Sequence, residues 1–278
     1  MGEPIDKPGV SGLWVYPLKS ASGVRLDQAE VDARGFALDR RWMLVDSDGG
    51  FMTQRKHPRL ALVGCAIDDK NLVLTGPGRS ALEVPLRLAL GASAPESMQV
   101  HIWGSECRAL HVGQQADRWF REFLGVECRL VFMPASTRRR VDSESGCGDD
   151  IVSFADGYPF LLVGQSSLDD LNARLAEPVP MDRFRPNIVV ETDEPFAEDT
   201  WTRIRIGEVV FRVAKPCARC TVTTTDQATG ERGKEPLATL AGYRRFDGKI
   251  LFGQNLIQES RGKVCVGDEV EILGLKRG

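Results

Sequence analysis

The sequence predicts a β-rich α+β protein built as a barrel or sandwich, in two domains or one large body. Three observations carry this. Short runs alternating apolar and polar residues recur along the chain, each stopped by Gly, Asp or Pro, as in strands joined by tight turns. Helical periodicity is confined to a few short segments. A length of 278 residues is long for one domain and natural for two, or for one β-rich body of unusual size.

Residues 10–16 read as a strand stopped by Pro17, and a second strand starts at Val24 with alternation at Leu26 and Val31. Residues 41–46 and 51–54 flank Ser-Asp-Gly-Gly, a hairpin turn whose glycines tolerate positive φ. Further strands are expected at 60–67, 72–75, 99–103 and 107–112. Trp119, Phe120, Phe123 and Leu124 fall at helical spacing, which predicts a helix over 114–124 with Gly125 as its C-cap. Residues 128–133 return to strand. Residues 136–150, with Arg138, Arg139 and Arg140 followed by acids and glycine, read as a mobile loop, a boundary or a lid.

The second half opens on an apolar run at 154–163. Ser166 caps a helix to Leu175, with Leu168, Leu171 and Leu175 on one face. Residues 183–190 run into a strand, and 201–206 with 209–214 form a hairpin around Gly207-Glu208. Pro236 opens a short helix to Gly242. Residues 264–273 close the chain as a strand pair around Gly267-Asp268.

A net charge of -3 argues against a general nucleic-acid binder, although 36 Lys+Arg leave room for a local basic patch. No apolar run approaches the ~18 to 20 residues of a membrane-spanning helix. The first residues carry neither a secretory signal nor a transit peptide, and Asp6 stands where myristoylation needs Ser or Thr. Seven scattered cysteines do not form a disulfide framework, so reduced thiols in a cytoplasmic protein are expected.

The chemistry-bearing stretch is Lys215-Pro-Cys-Ala-Arg-Cys220, followed by a run of threonines. A structural zinc site needs four ligands, and no second Cys-x-x-Cys or paired His accompanies this one. A thioredoxin-like dithiol needs a helix after the pair, whereas β-branched Thr221 to Thr225 favour strand or loop. Two inert buried thiols are the plain alternative. Against that, Lys215 and Arg219 favour the thiolate form that a soft metal wants. His57, His101 and His111 lack metal-like spacing and read as structural.

Beyond the pair lie Thr223-Thr224-x-Asp226-x-x-Thr229-Gly230, Lys234-Glu-Pro-Leu, Tyr243-Arg244, Leu251-Phe-Gly-Gln-Asn255 and Val266-Gly-Asp268. Upstream lie Tyr16-Pro-x-Lys-Ser20, Asp39-Arg40-x-Trp42, Pro58-Arg-Leu60 and Phe184-Arg-Pro-Asn187. In this order and spacing the chain resembles MOSC-domain molybdenum cofactor proteins, closest to the branch of the mitochondrial amidoxime-reducing component and its bacterial relatives. The resemblance implies an N-terminal β-barrel-like domain over 1–125 and a MOSC β-barrel over 126–278, with a few peripheral helices and the cofactor between them.

It implies Cys220 as the catalytic residue and the protein ligand to molybdenum, with molybdopterin supplying further sulfurs. It places Lys19, Ser20, Arg40, Arg185, Arg219 and Asn255 at the cofactor, and Asp156-Gly157-Tyr158 on a cofactor-side loop. Lys19 and Ser20 offer an ammonium, a hydroxyl and backbone N–H groups to a phosphate; the arginines offer forked donors to phosphate or pterin oxygens. The implied activity is an oxidoreductase that reduces N-hydroxylated compounds (amidoximes, hydroxylamines, N-hydroxylated bases) to amines. The chain has no flavin or iron–sulfur motif, so a separate flavoprotein reductase or ferredoxin-like donor is expected to supply the electrons. A cofactor carrier or sulfur-transfer module is the alternative. The Arg138–Arg140 run reads as a solvated loop or as a docking patch for an acidic donor. Thr221, where an apolar residue is more usual, and Ala21, where Cys or Ser occurs, bear on substrate preference rather than on cofactor binding.

Overall fold

The computed structural model describes residues 7–87, 95–141 and 146–276. The protein is β-rich, with three α-helices among the described residues. Its largest sheet has nine strands. Across it run Val270–Leu275, Trp201–Ile206, Val209–Ala218, Lys249–Gln258, Phe160–Gly164, Ile188–Glu191, Gly9–Val15 and Val24–Leu26, with Arg245–Phe246 paired off the main path. Phe160–Gly164 is apolar throughout and wholly buried, as befits a strand covered on both faces. It pairs in parallel with Ile188–Glu191, and the crossover between them carries the helix Gln165–Asn172.

A second sheet orders Trp42–Val45, Arg129–Phe132, Ser105–His111 and Ser97–Ile102, and two three-stranded sheets complete the body. The helix Gln114–Leu124 packs Trp119, Phe120 and Phe123 onto Leu60, Leu72 and Leu130, and ends at Gly125 with φ 73°. Each large side chain so buried contributes roughly 1.5–3 kcal/mol. In the larger sheet Phe160 meets Phe36 and Phe211 edge-on, with centroids 4.9 and 5.2 Å apart.

The two halves interlace. Gly9–Val15, from the start of the chain, pairs with Ile188–Glu191 and places Leu13 opposite Ile188. Arg129–Phe132 pairs back onto Trp42–Val45.

Several sequence expectations are corrected. Pro58–Leu62 is a 3₁₀ turn, and only Gly64–Ile67 of the expected 60–67 strand is extended, because Pro58 at the first position favours helical φ. Ser166 does not cap its helix: the helix begins at Gln165 after Gly164, and the Ser166 hydroxyl bonds Thr192 instead. Gly262–Cys265 and Val270–Leu275 are not partners: the former pairs with Gln28–Asp32, the latter with Trp201–Ile206. Trp103 is not in a strand but in the turn after Ser97–Ile102. The expected mobile loop is ordered over Thr137–Val141, where Val141 and Val152 donate backbone hydrogen bonds to Asp150 and Arg139. Residues 142–145 of that loop, and the first six of the chain, lie outside the described residues. No described helix is long and apolar enough to cross a membrane.

Candidate functional site

A cleft with about 880 Å³ of empty space, solvent mouth included, opens between residues of the two halves. All ten sequence-predicted site residues line it. Lys19, Ser20 and Arg40 come from the first half, and Asp156, Gly157, Tyr158, Arg185, Arg219, Cys220 and Asn255 from the second.

Cys220 reaches the cleft because its strand breaks register. Val209–Ala218 pairs with Lys249–Gln258 but shifts between Val213 and Lys215 and again between Pro216 and Ala218. Pro216 has no N–H for the ladder, so irregularity is expected there. Arg219 N–H then donates to the Ile250 carbonyl at 2.7 Å, and the chain turns. The threonines, expected as strand or loop, form a 3₁₀ turn over Thr221–Thr224. Their hydroxyls explain it: Thr223 Oγ1 donates to the Cys220 carbonyl (3.0 Å) and Thr224 Oγ1 to that of Thr221 (2.9 Å), competing with a strand ladder.

The two thiols sit in different environments. Cys220 Sγ accepts from the Arg55 guanidinium at 3.1 Å, whereas Cys217 Sγ accepts from Arg219 Nη1 at 3.1 Å and packs against the Phe184–Phe252 cluster. Arg219 also donates to the Phe184 carbonyl at 2.6 Å. Its Nε is buried without a hydrogen-bond partner, as is the Tyr158 hydroxyl.

At the other end, Arg40 and Arg185 each lie 4.3 Å from the ring centroid of buried Tyr16. Ser20, Arg40 and Arg185 all adopt left-handed backbone (φ 71°, 48° and 56°), a conformation that costs energy in non-glycine residues and clusters at functional sites. Asn187 and Asp39 hold Arg40, accepting from its Nη1 at 3.0 and 2.6 Å. Burial pulls the Arg185 guanidinium down to about 10, with the like charge of Arg40 adding to it and the Tyr16 phenol opposing.

Lys19 is buried and donates to the Phe154 carbonyl at 2.7 Å and to Asp156 Oδ1 at 2.5 Å. Burial lowers its pKa in spite of Asp156, because desolvation of the ammonium outweighs the pairing. For Asp156, whose side chain is half-exposed, the balance is opposite: the Lys19 ammonium, its hydrogen bond and the Arg55 guanidinium hold the carboxyl well below the usual range.

Two contributors carry no sequence signal of their own or were hidden by one. Arg55 follows a hairpin and precedes Pro58, in a stretch with no motif of its own, yet it bridges Cys220 and Asp156 (3.4 Å). Arg139 sits in the triple-arginine run read as solvated or as a docking patch, but it is buried. It donates to the carbonyls of Ser153 (2.8 Å), Ala155 (2.7 Å) and Asp156 (2.8 Å), shaping the loop that carries Asp156. The overlooked signal was alternation: Thr137, Arg139 and Val141 are buried while Arg138 and Arg140 are exposed.

The charged side chains lining the cleft are Lys19, Arg40, Arg55, Arg185, Arg219 and Asp156, five cations to one carboxylate in a chain of net charge -3. That excess suits an anion such as a phosphate. Among the described residues no three His, Cys, Asp or Glu side chains come together to hold a metal. A metal at Cys220 therefore has to arrive with its other ligands. A dithiolene-bound molybdenum with a phosphate tail meets both conditions, and the open donors of Arg219 and Tyr158 suit pterin or oxo acceptors, so the residues fit that group.

The model of the MOSC N-terminal beta barrel domain matches residues 7–127, and that of the MOSC domain matches 149–271. The chain is 36% identical to mitochondrial amidoxime-reducing component 1 of Mus musculus, over 95% of this chain and 82% of that protein. The identity is also 36% to the Homo sapiens component 1, over 95% and 83%, and to component 2 of Rattus norvegicus, over 94% and 82%.

Proposed function

The chain belongs to the MOSC family, in which it shares both domains with the amidoxime-reducing components, and on that premise we propose that it is the cofactor-binding catalytic subunit of a reductase for N-hydroxylated compounds. The observation that carries the reading is Cys220 Sγ placed in a strongly cationic cleft, under a guanidinium at 3.1 Å. Cys220 supplies the protein thiolate to molybdenum. Lys19, Ser20, Arg40 and Arg185 take the phosphate and pterin oxygens, with Arg219, Tyr158 and Asn255 closing the site. The bound cofactor supplies two-electron, oxygen-atom chemistry.

The reaction balances as R–NHOH + 2 e⁻ + 2 H⁺ → R–NH₂ + H₂O: the N–O bond breaks, nitrogen is reduced, and oxygen leaves as water. A separate donor protein, a flavoprotein reductase or a ferredoxin-like carrier, delivers the electrons. The chain's own part is to bind and orient. Arg55 fixes the Cys220 sulfur and Asp156 together, and Lys19 stays at the site as a buried ammonium held by two acceptors.

The test is protein purified with its metal, analysed for molybdenum and zinc, and assayed for conversion of benzamidoxime to benzamidine with reduced methyl viologen. Stoichiometric molybdenum with turnover is expected. Stoichiometric molybdenum without reduction of any N-hydroxylated substrate overturns the reductase reading in favour of a cofactor carrier or sulfur-transfer module. Zinc in place of molybdenum overturns both.

A further inference from the structure

Trp103 is an exposed aromatic, 53% accessible, at the tip of the hairpin joining Ser97–Ile102 to Ser105–His111. Its backbone is left-handed, with φ 54°, at a turn position where Asn or Gly is the low-cost choice. The position thus carries two costs at once, an apolar ring in water and a strained backbone. The ring is nevertheless fixed from two sides. Phe51 lies 5.0 Å away centroid to centroid, and the Arg55 guanidinium sits 4.7 Å from the ring centroid.

Arg55 and Asp156 are cleft residues, and the same Arg55 guanidinium donates to Cys220 Sγ at 3.1 Å. One side chain therefore links the exposed ring to the reactive sulfur. A lone surface aromatic needs no explanation by itself. One that is strained, clamped and one guanidinium away from the proposed ligand thiol does. A rigid ring left about half exposed beside the cleft can take flat π-systems at low entropic cost.

Resting on the reductase reading, we propose that Trp103 is the specificity platform of the site, on which the planar aryl or heterocyclic part of an N-hydroxylated substrate stacks. The substrate class it selects is aromatic amidoximes and N-hydroxylated bases over small aliphatic N-hydroxy compounds. Losing the stacked ring should weaken binding of an aromatic substrate about tenfold.

The experiment compares wild-type, Trp103→Ala and Trp103→Phe holoproteins with reduced viologen as donor. Substrates are benzamidoxime and acetamidoxime, which share the reacting group and differ in the ring. Trp103→Ala should raise KM for benzamidoxime about tenfold and that for acetamidoxime no more than twofold, with molybdenum content and kcat held. Trp103→Phe should keep most of the preference. Independently of turnover, benzamidoxime should quench intrinsic fluorescence in the wild type and much less in Trp103→Phe. Equal KM changes for both substrates, or none, overturn the proposal, as does quenching that survives in Trp103→Phe. A molybdenum-loaded wild type that reduces neither substrate overturns the reductase reading instead, and the quenching experiment then still decides the platform.

Discussion

Replacing Arg139 by Met removes a buried guanidinium while keeping much of its length. Three carbonyls, those of Ser153, Ala155 and Asp156, lose donors at 2.7–2.8 Å. A buried acceptor left unpaired costs ~1–3 kcal/mol. Against that sum stands the desolvation of the guanidinium itself, which burial makes unfavourable enough to lower its pKa. A net loss of about 3 kcal/mol is expected, which at ~2–4 °C per kcal/mol lowers Tm by about 6–12 °C. Thermal unfolding of wild-type, Arg139→Met and Arg140→Ala proteins measures it, with exposed Arg140 as a control expected within ~0.5 kcal/mol. The variant should also hold less molybdenum, because the Phe154 carbonyl and Asp156, which anchor Lys19, lie in the loop that Arg139 fastens. An Arg139→Met protein as stable as the Arg140→Ala control refutes the reasoning.

The remaining expectations concern the cleft. Cys217→Ala should keep molybdenum and substantial turnover, while Cys220→Ala should abolish turnover; equal loss from both points back to a dithiol or zinc site. Arg55→Gln removes the charged donor to Cys220 Sγ, a bond of ~1.5–3 kcal/mol, and turnover should fall at least about tenfold with molybdenum retained and the Mo(V) paramagnetic signal altered. Unchanged turnover and signal exclude that role. The Asp156 carboxyl is held down in the folded protein, so its ionised form stabilises the fold above the unfolded value near ~3.9 and that contribution is lost as pH falls below it. Asp156→Asn should therefore flatten the decline in urea midpoint between about pH 4 and pH 2; a decline as steep as in the wild type contradicts this.

What could be read in the sequence was local. The 114–124 helix declares itself because Trp119, Phe120 and Phe123 fall on one face and all three are buried, with Gly125 free to take positive φ. Pairing partners are not local. Residues 262–265 and 270–275 carry the same alternation, yet belong to different sheets, since each answers to a strand far away in the chain. The same holds at the site. Cys220 is marked by its neighbours, but Arg55 is 165 residues from it and enters the cleft only through tertiary structure. Arg219, expected as a cofactor contact, has two of its nitrogens occupied by Cys217 and Phe184 and offers Nε. Side-chain chemistry nominated the residues; the fold decided which atom of each remained available.

The interlaced sheets also set the order in which the chain can be assembled during synthesis. The Gly9–Val15 strand can pair early with Val24–Leu26 on one edge, but its other edge waits for Ile188–Glu191. Until the ribosome has released that far segment, an apolar strand edge with buried Leu13 and Val15 stands open, the kind of edge that recruits other chains. Non-local closure of this kind is slow relative to hairpin formation. Truncations that end before residue 191 should therefore aggregate rather than yield a folded N-terminal half.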